Sequence, residues 1–221
     1  MGNCLCGGAR QQGLAGPAYE RLDGGGGKQL LRSARGGDNL TPAGNPLPPV
    51  VHAKLAEHAL GDGRLVLVGD VHGCLEELFA LLDTLAFDHE RDSLIFLGDL
   101  CNKGPRSQET VAAVRALCEG RAWAVRGNND DGALAACARR RSAAWWGLQQ
   151  GIEPPLAKHA WVGELLPEDV DFLMGLPFSI TVEGYSIISV HGGLLPGVPL
   201  AEQQLELVLA IRDVVHTPDG S

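Results

Sequence analysis

The chain has 221 residues, 45% of them hydrophobic, enough to bury a real core in one domain of about 150 to 200 residues. Its formal net charge of −9 excludes duplex nucleic acid as a default partner, because binding a phosphate backbone needs basic surface. No apolar run resembles a membrane span or a secretory signal, and the six cysteines form no C-x-x-C pair, so free thiols in a reducing, cytoplasmic setting are expected.

The first fifty residues are rich in Gly and Pro, with Gly24 to Gly27 in a row and Pro46, Pro48 and Pro49 close together. Such a composition predicts a disordered tether over residues 1–50 and a folded domain over 51–221. The extreme N-terminus, Met1-Gly2-Asn3-Cys4-Leu5-Cys6, resembles an N-myristoylation signal, with Cys6 where Ser or Thr is usual. Gly2 would accept myristate and Cys4 and Cys6 palmitate, the second signal that stable anchoring to the cytoplasmic face of a membrane requires. The plainer reading is an unstructured start with two inert thiols.

Strands then alternate with helical patterns. A strand is expected from Arg64 to Gly69, followed by a helix with Leu75, Leu78, Phe79, Leu82 and Leu85 at helical spacing. Leu94 to Leu97 is the second strand. A helix through Val111, Val114, Leu117 and Cys118 follows Gly104-Pro105, with Ser107 as its N-cap. Trp123 to Val125 is the third strand, and a helix from near Asp131 ends on Arg139-Arg140-Arg141, a solvated basic face suited to a helix C-terminus. Pro167-Glu168-Asp169 opens a short helix. Ser179 to Val182 and Tyr185 to Val190 read as strands joined at Glu183-Gly184. This order predicts an α/β protein with a central sheet and helices on its faces.

Polar groups stand just past four of these strands. They are Gly69-Asp70-Val71-His72-Gly73, Gly98-Asp99, Gly127-Asn128 and Val190-His191-Gly192-Gly193. Carboxylate, amide and imidazole donors gathered at neighbouring strand ends suit a pair of divalent metals. Asp70 and His72, two apart on an extended strand end, would point to one side. A shared carboxylate at Asp99 would hold two ions about 3.5 to 4 Å apart.

These blocks, with Arg126-Gly127-Asn128 and His191-Gly192-Gly193-Leu194 read in full, resemble the calcineurin-like metallophosphoesterase superfamily. Within it the chain is similar to the phosphoprotein phosphatase and diadenosine-tetraphosphatase-like branch. Lys103-Gly104-Pro105 and Leu194 to Leu200 are similar to fungal-type members known as polyphosphatases. The resemblance covers about residues 64 to 212. It implies a four-layer α/β/β/α sandwich, incomplete at its C-terminus. It also implies hydrolysis of a phosphoric ester or anhydride by a water bridging two divalent metals (Mn, Fe, Zn or Mg). Carried over by position, Asp70, His72 and Asp99 would hold one metal, and Asp99, Asn128 and His191 the other. Lys103 and Arg126 would contact the phosphate of a phosphoprotein, dinucleoside polyphosphate or polyphosphate. Arg126 reads equally well as an ordinary surface ion pair.

Three departures accompany the resemblance. The family's third block carries a His that protonates the leaving group; here the residue is Asn129. The Asp that orients that His is Asn102. The family supplies a further His to the second metal from beyond the fourth block, and His216 falls too early to be its equivalent, so the domain reads as truncated. Loss of a general acid costs about 10²- to 10⁴-fold. The competing expectation is a catalytically impaired, metallophosphoesterase-like binding protein at a membrane.

Overall fold

The computed structural model describes residues 20–21, 39–145 and 157–214. Seven strands and five α-helices are seen among them: β1 (Glu20–Arg21), β2 (His52–Leu55), β3 (Leu65–Val68), α1 (Leu75–Thr84), β4 (Ser93–Phe96), α2 (Ser107–Leu117), β5 (Ala122–Ala124), α3 (Asn128–Trp145), α4 (Pro167–Gly175), β6 (Ser179–Val182), β7 (Ile187–Val190) and α5 (Leu205–Ala210). Short 3-10 segments lie at Glu57–Ala59, Ala157–Glu164 and Leu200–Glu202.

The strands form two sheets. In the first, β3, β4 and β5 run parallel in that order, with Val68, Phe96 and Ala124 in register. In the second the order is β1-β2-β6-β7, with β2 and β6 parallel and the two outer pairs antiparallel. Val68, Phe96 and Ala124 face the helices and bury against Leu78 and Leu82 of α1, Val111 and Val114 of α2, Leu134 of α3 and Leu173 of α4. Ile95, Trp123 and Val125 face the second sheet and meet Ala53, Leu55, Ile180 and Val182. Both faces of β4 are therefore covered, which is why its sequence is an unbroken hydrophobic run and not an alternation. The fourth layer is short: Leu205, Val208 and Leu209 of α5 pack with Phe178, Val190 and Val51. Parallel strands put their C-terminal ends on one rim, so the loops after β3, β4 and β5 meet there.

Three expectations are corrected. The fold is not confined to residues 51–221: Glu20–Arg21 pairs with β2, and Leu47 packs against the Phe178 cluster. Asn45 is buried, and its amide donates to the Asp131 carbonyl at 2.7 Å and carboxylate at 2.8 Å. A polar, Pro-rich stretch is recruited by buried acceptors, which composition does not register. Ser107 is not an N-cap: it is the first helical residue, and its hydroxyl accepts the Asn102 N–H at 2.9 Å. The third helix begins at Asn128, three residues earlier than expected, because the Asp130 carboxylate accepts the Gly127 N–H at 2.9 Å and closes the first turn. Arg139, Arg140 and Arg141 are exposed, as a solvated face requires. Cys74, Cys101, Cys118 and Cys137 are free thiols. Gly2, Cys4, Cys6 and His216 lie outside the described residues. Among those described, no helix is long and apolar enough to cross a membrane.

Candidate metal centre

The loops that follow the parallel strands bend sharply. His72, Asp99, Asn102 and Lys103 have φ values of 53°, 53°, 69° and 67°, a left-handed conformation that costs a non-glycine residue about 1–3 kcal/mol. The approach between loops is equally tight. A Cβ at Gly127 would come within 2.2 Å of the Asp99 backbone nitrogen, and one at Gly98 within 2.7 Å of the Gly127 nitrogen. Only glycine lets the β4 and β5 loops touch there. Because His72 is left-handed, it and Asp70 do not converge by strand alternation. A turn brings them together, with His72 Nε2 3.2 Å from Asp70 Oδ2.

Each imidazole is oriented by a main-chain carbonyl. His72 Nδ1 lies 3.1 Å from the Cys101 oxygen, and His191 Nδ1 2.9 Å from the Leu97 oxygen. A carbonyl only accepts, so Nδ1 carries a proton in both rings, and Nε2 is the nitrogen left to ligate an ion. His72 Nε2 faces Asp70 Oδ2 and, at 3.6 Å, Asp99 Oδ2. His191 Nε2 faces Asn128 Oδ1 at 2.9 Å and Asp99 Oδ1 at 3.5 Å. Two groups of potential ligand atoms thus converge, and Asp99 gives one oxygen to each. Oxygen and imidazole donors with this tautomer are what a divalent ion takes, and the carbonyl partners are the usual supports of a ligating His. Asp70, Asp99 and His191 each bring a ligand atom within 4.8 Å of the others. The residues therefore fit a metal, with Asp99 buried between the two donor groups and Asp70 half-exposed at the mouth.

Lys103 also reaches the rim, with Nζ 2.5 Å from His72 Nε2. Arg126 does not, and the expectation that it contacts substrate or takes part in catalysis is overturned. It is fully buried, its Nη1 3.3 Å from Asp131 Oδ1, its Nη2 donating to the Met174 carbonyl at 2.5 Å, and its guanidinium 5.0 Å from the Phe178 ring centroid. Nor is it the surface ion pair of the plainer reading: the pair with Asp131 is buried and joins α3 to α4 and the residue before β6.

Two residues were missed. Asp130 is fully buried and accepts the Leu100 N–H at 2.9 Å, the Gly127 N–H and the Cys101 thiol at 3.2 Å. It ties the loop bearing Asp99 to the loop bearing Asn128; burial pushes its carboxyl up, and burial beside it pushes the Cys101 thiol well up. Its only local signal is an acid in a first helical turn. Trp161, whose indole donates to Asn102 Oδ1 at 2.8 Å, had no signal at all.

Comparison with known proteins identifies the family. The family model for calcineurin-like phosphoesterases matches residues 63–216. The chain belongs to the calcineurin-like phosphoesterase family. It is 37% identical over 135 residues to the symmetrical bis(5'-nucleosyl)-tetraphosphatase of Aromatoleum aromaticum, covering 59% of this chain and 44% of that protein. With the protein of the same name from Chromohalobacter salexigens it shares 33% over 153 residues, 66% of this chain and 51% of that one. The chain spans about half the length of these relatives. The crystal structure of a candidate diadenosine tetraphosphatase superposes with a TM-score of 0.54 at 27% identity, over 71% of this chain and 61% of that one. The metallophosphoesterase α/β fold expected from the motifs is therefore the fold found.

Proposed function

We propose that this member of the family hydrolyses a phosphoric anhydride or ester, with Asp70, His72 and Asp99 holding one divalent metal and Asp99, Asn128 and His191 a second. The observation that carries the reading is Asp99, each of whose oxygens faces the Nε2 of a different imidazole. When bound, such metals supply Lewis-acid polarisation of a phosphoryl oxygen and a water of lowered pKa. The chain supplies the rest. Asp99 and Asn128 fix the positions of the reacting groups, Asp130 holds their two loops together, and the Lys103 ammonium at the rim is a point charge for the substrate's phosphate.

No group at position 129 can give a proton to the leaving oxygen, because Asn129 is an amide. The substrate that suits this site is one whose leaving group departs as a weak base. A dinucleoside polyphosphate, which releases a nucleotide, fits that demand better than a phosphoserine, and it is the substrate class in the names of the relatives. The same amides favour a second reading, a site that binds metal and phosphate but does not turn over.

The test is turnover of diadenosine tetraphosphate and of p-nitrophenyl phosphate by the full chain with Mn²⁺, with Asp99→Asn as control. Hydrolysis that vanishes in the control supports the enzyme. Metal binding without hydrolysis of either substrate selects the second reading.

A further inference from the structure

Asn102 and Asn129 stand where an orienting carboxylate and an acid are expected, yet neither side chain is idle. The chain of contacts starts at Trp161, in the 3-10 segment. An indole nitrogen can only donate, and Trp161 Nε1 donates to Asn102 Oδ1 at 2.8 Å, as well as to the Lys158 carbonyl at 3.0 Å. That contact decides which way the Asn102 amide faces. Its nitrogen must point the other way, and it donates to Asn129 Oδ1 at 3.2 Å and to the Asn129 carbonyl at 3.3 Å. Asn129 is turned in its own turn. Its Nδ2 donates to Asp99 Oδ2 at 2.6 Å, while its backbone N–H donates to Asp99 Oδ1 at 2.8 Å.

Every hydrogen bond in this series points toward Asp99. Each carboxylate oxygen accepts one bond from residue 129 and keeps a lone pair for an ion held together with the imidazole it faces. Hydrogen bonds to an ionised carboxylate are short and strong, so this grip is stiffer than one between neutral groups. We propose that Trp161, Asn102 and Asn129 form a one-way amide relay that fixes the shared carboxylate Asp99 for metal binding. Asn129 is thus a positioning residue for the metal centre. The relay rests on the two-metal reading given above.

The polarity of the relay makes it testable by a substitution that changes almost no volume. In Asn102→Asp, Trp161 Nε1 still has an acceptor, but the second oxygen of residue 102 now faces Asn129 Oδ1. Asn129 must turn its amide, which presents its oxygen to Asp99. Coulomb attraction alone argues the opposite, since an added negative charge near the site tightens binding of a cation. Calorimetric titration of Mn²⁺ into the metal-free full chain separates the two. The expected result is affinity weaker by about 10-fold in Asn102→Asp, Asn129→Ala and Trp161→Phe, the scale typical of lost support behind a metal ligand. Circular dichroism checks that each variant is folded; if Trp161→Phe is not, the isosteric Asn102→Asp arm still decides. Unchanged or tighter binding in Asn102→Asp, with the wild type binding normally, would overturn the relay. A wild-type chain that binds no Mn²⁺ would overturn the two-metal reading and the relay with it.

Discussion

Strand β4 is flanked by two buried aspartates in opposite circumstances. Asp92, before the strand, is surrounded by donors. It accepts the Arg64 backbone N–H at 2.7 Å, the Asp88 N–H at 3.1 Å and the Arg64 guanidinium, whose Nη2 lies 2.5 Å away. The Arg64 hydrogen bonds hold its carboxyl well below the usual carboxylate range. Asp99, after the strand, accepts from Asn129 among the described residues and faces the Nε2 atoms of His72 and His191. Asp92 is a closed latch between β3 and β4, while Asp99 is held open toward a cation. What separates the two is the kind of neighbour, an arginine at Asp92 and two imidazoles at Asp99, and not burial, which they share.

Substitutions at these two positions should break the contrast in opposite ways. Asp99→Asn is expected to have the largest effect, lowering metal affinity by more than about 100-fold, beyond the range seen when only a supporting partner is lost. Its melting temperature without metal should be unchanged or higher, since a strained, charge-crowded site is relieved. Metal content after dialysis and a thermal scan check both halves; a large loss of stability with metal retained would contradict the assignment. Next in size is Asn129→His with Asn102→Asp, which restores a titratable donor and its orienting acid. At saturating Mn²⁺ it should raise turnover by about 10²-fold. The gain should be smaller on p-nitrophenyl phosphate than on an alkyl phosphate, because the aryl leaving group needs less protonation. No gain on either, with metals bound, would mean that the acid is not what the site lacks.

Asp92→Asn should do the reverse of Asp99→Asn, lowering the melting temperature by several degrees while leaving Mn²⁺ affinity unchanged. Differential scanning fluorimetry and the same titration read this out. The smallest effect is in pH. His52 bonds Ser179 Oγ at 2.8 Å, and burial pulls its pKa down to about 4; His159 is lowered as well, first by burial. A base kept neutral in the fold contributes stability that is fully present above its unfolded pKa near 6.5 and is lost as pH falls toward 4. Melting temperature should therefore drop between about pH 6.5 and 4. His52→Asn should flatten part of that slope; an unchanged slope would show that His52 is not its source. Asp92 adds a separate loss at lower pH, as its carboxylate is titrated away from Arg64.

Much of the candidate site was legible in the sequence because its donor residues sit at fixed offsets from hydrophobic runs. Asp70, His72, Asp99 and Asn128 follow β3, β4 and β5, and parallel strands send such residues to one rim whatever the details of packing; His191 follows β7, an antiparallel strand of the other sheet, and only the stacking of the two sheets brings it there. The two sheets were less so. Residues 39–50 read as tether, yet Asn45 finds its acceptors on Asp131, 86 positions away.

The sequence by itself determined the alternation of strands and helices, the donor types and their order, and the two amides in place of an acid and its partner. Tertiary structure alone decided which cations face the site. Arg126 looked as available as Lys103, but Asp131, the Met174 carbonyl and the Phe178 ring draw it into the interior, while Lys103, on a left-handed turn, stays at the rim. It also decided which way Asn102 and Asn129 face, since the donor that orients them is Trp161, 59 residues beyond Asn102. Local periodicity fixes where a side chain starts; the partner that captures a long cation or turns an amide comes from elsewhere in the chain.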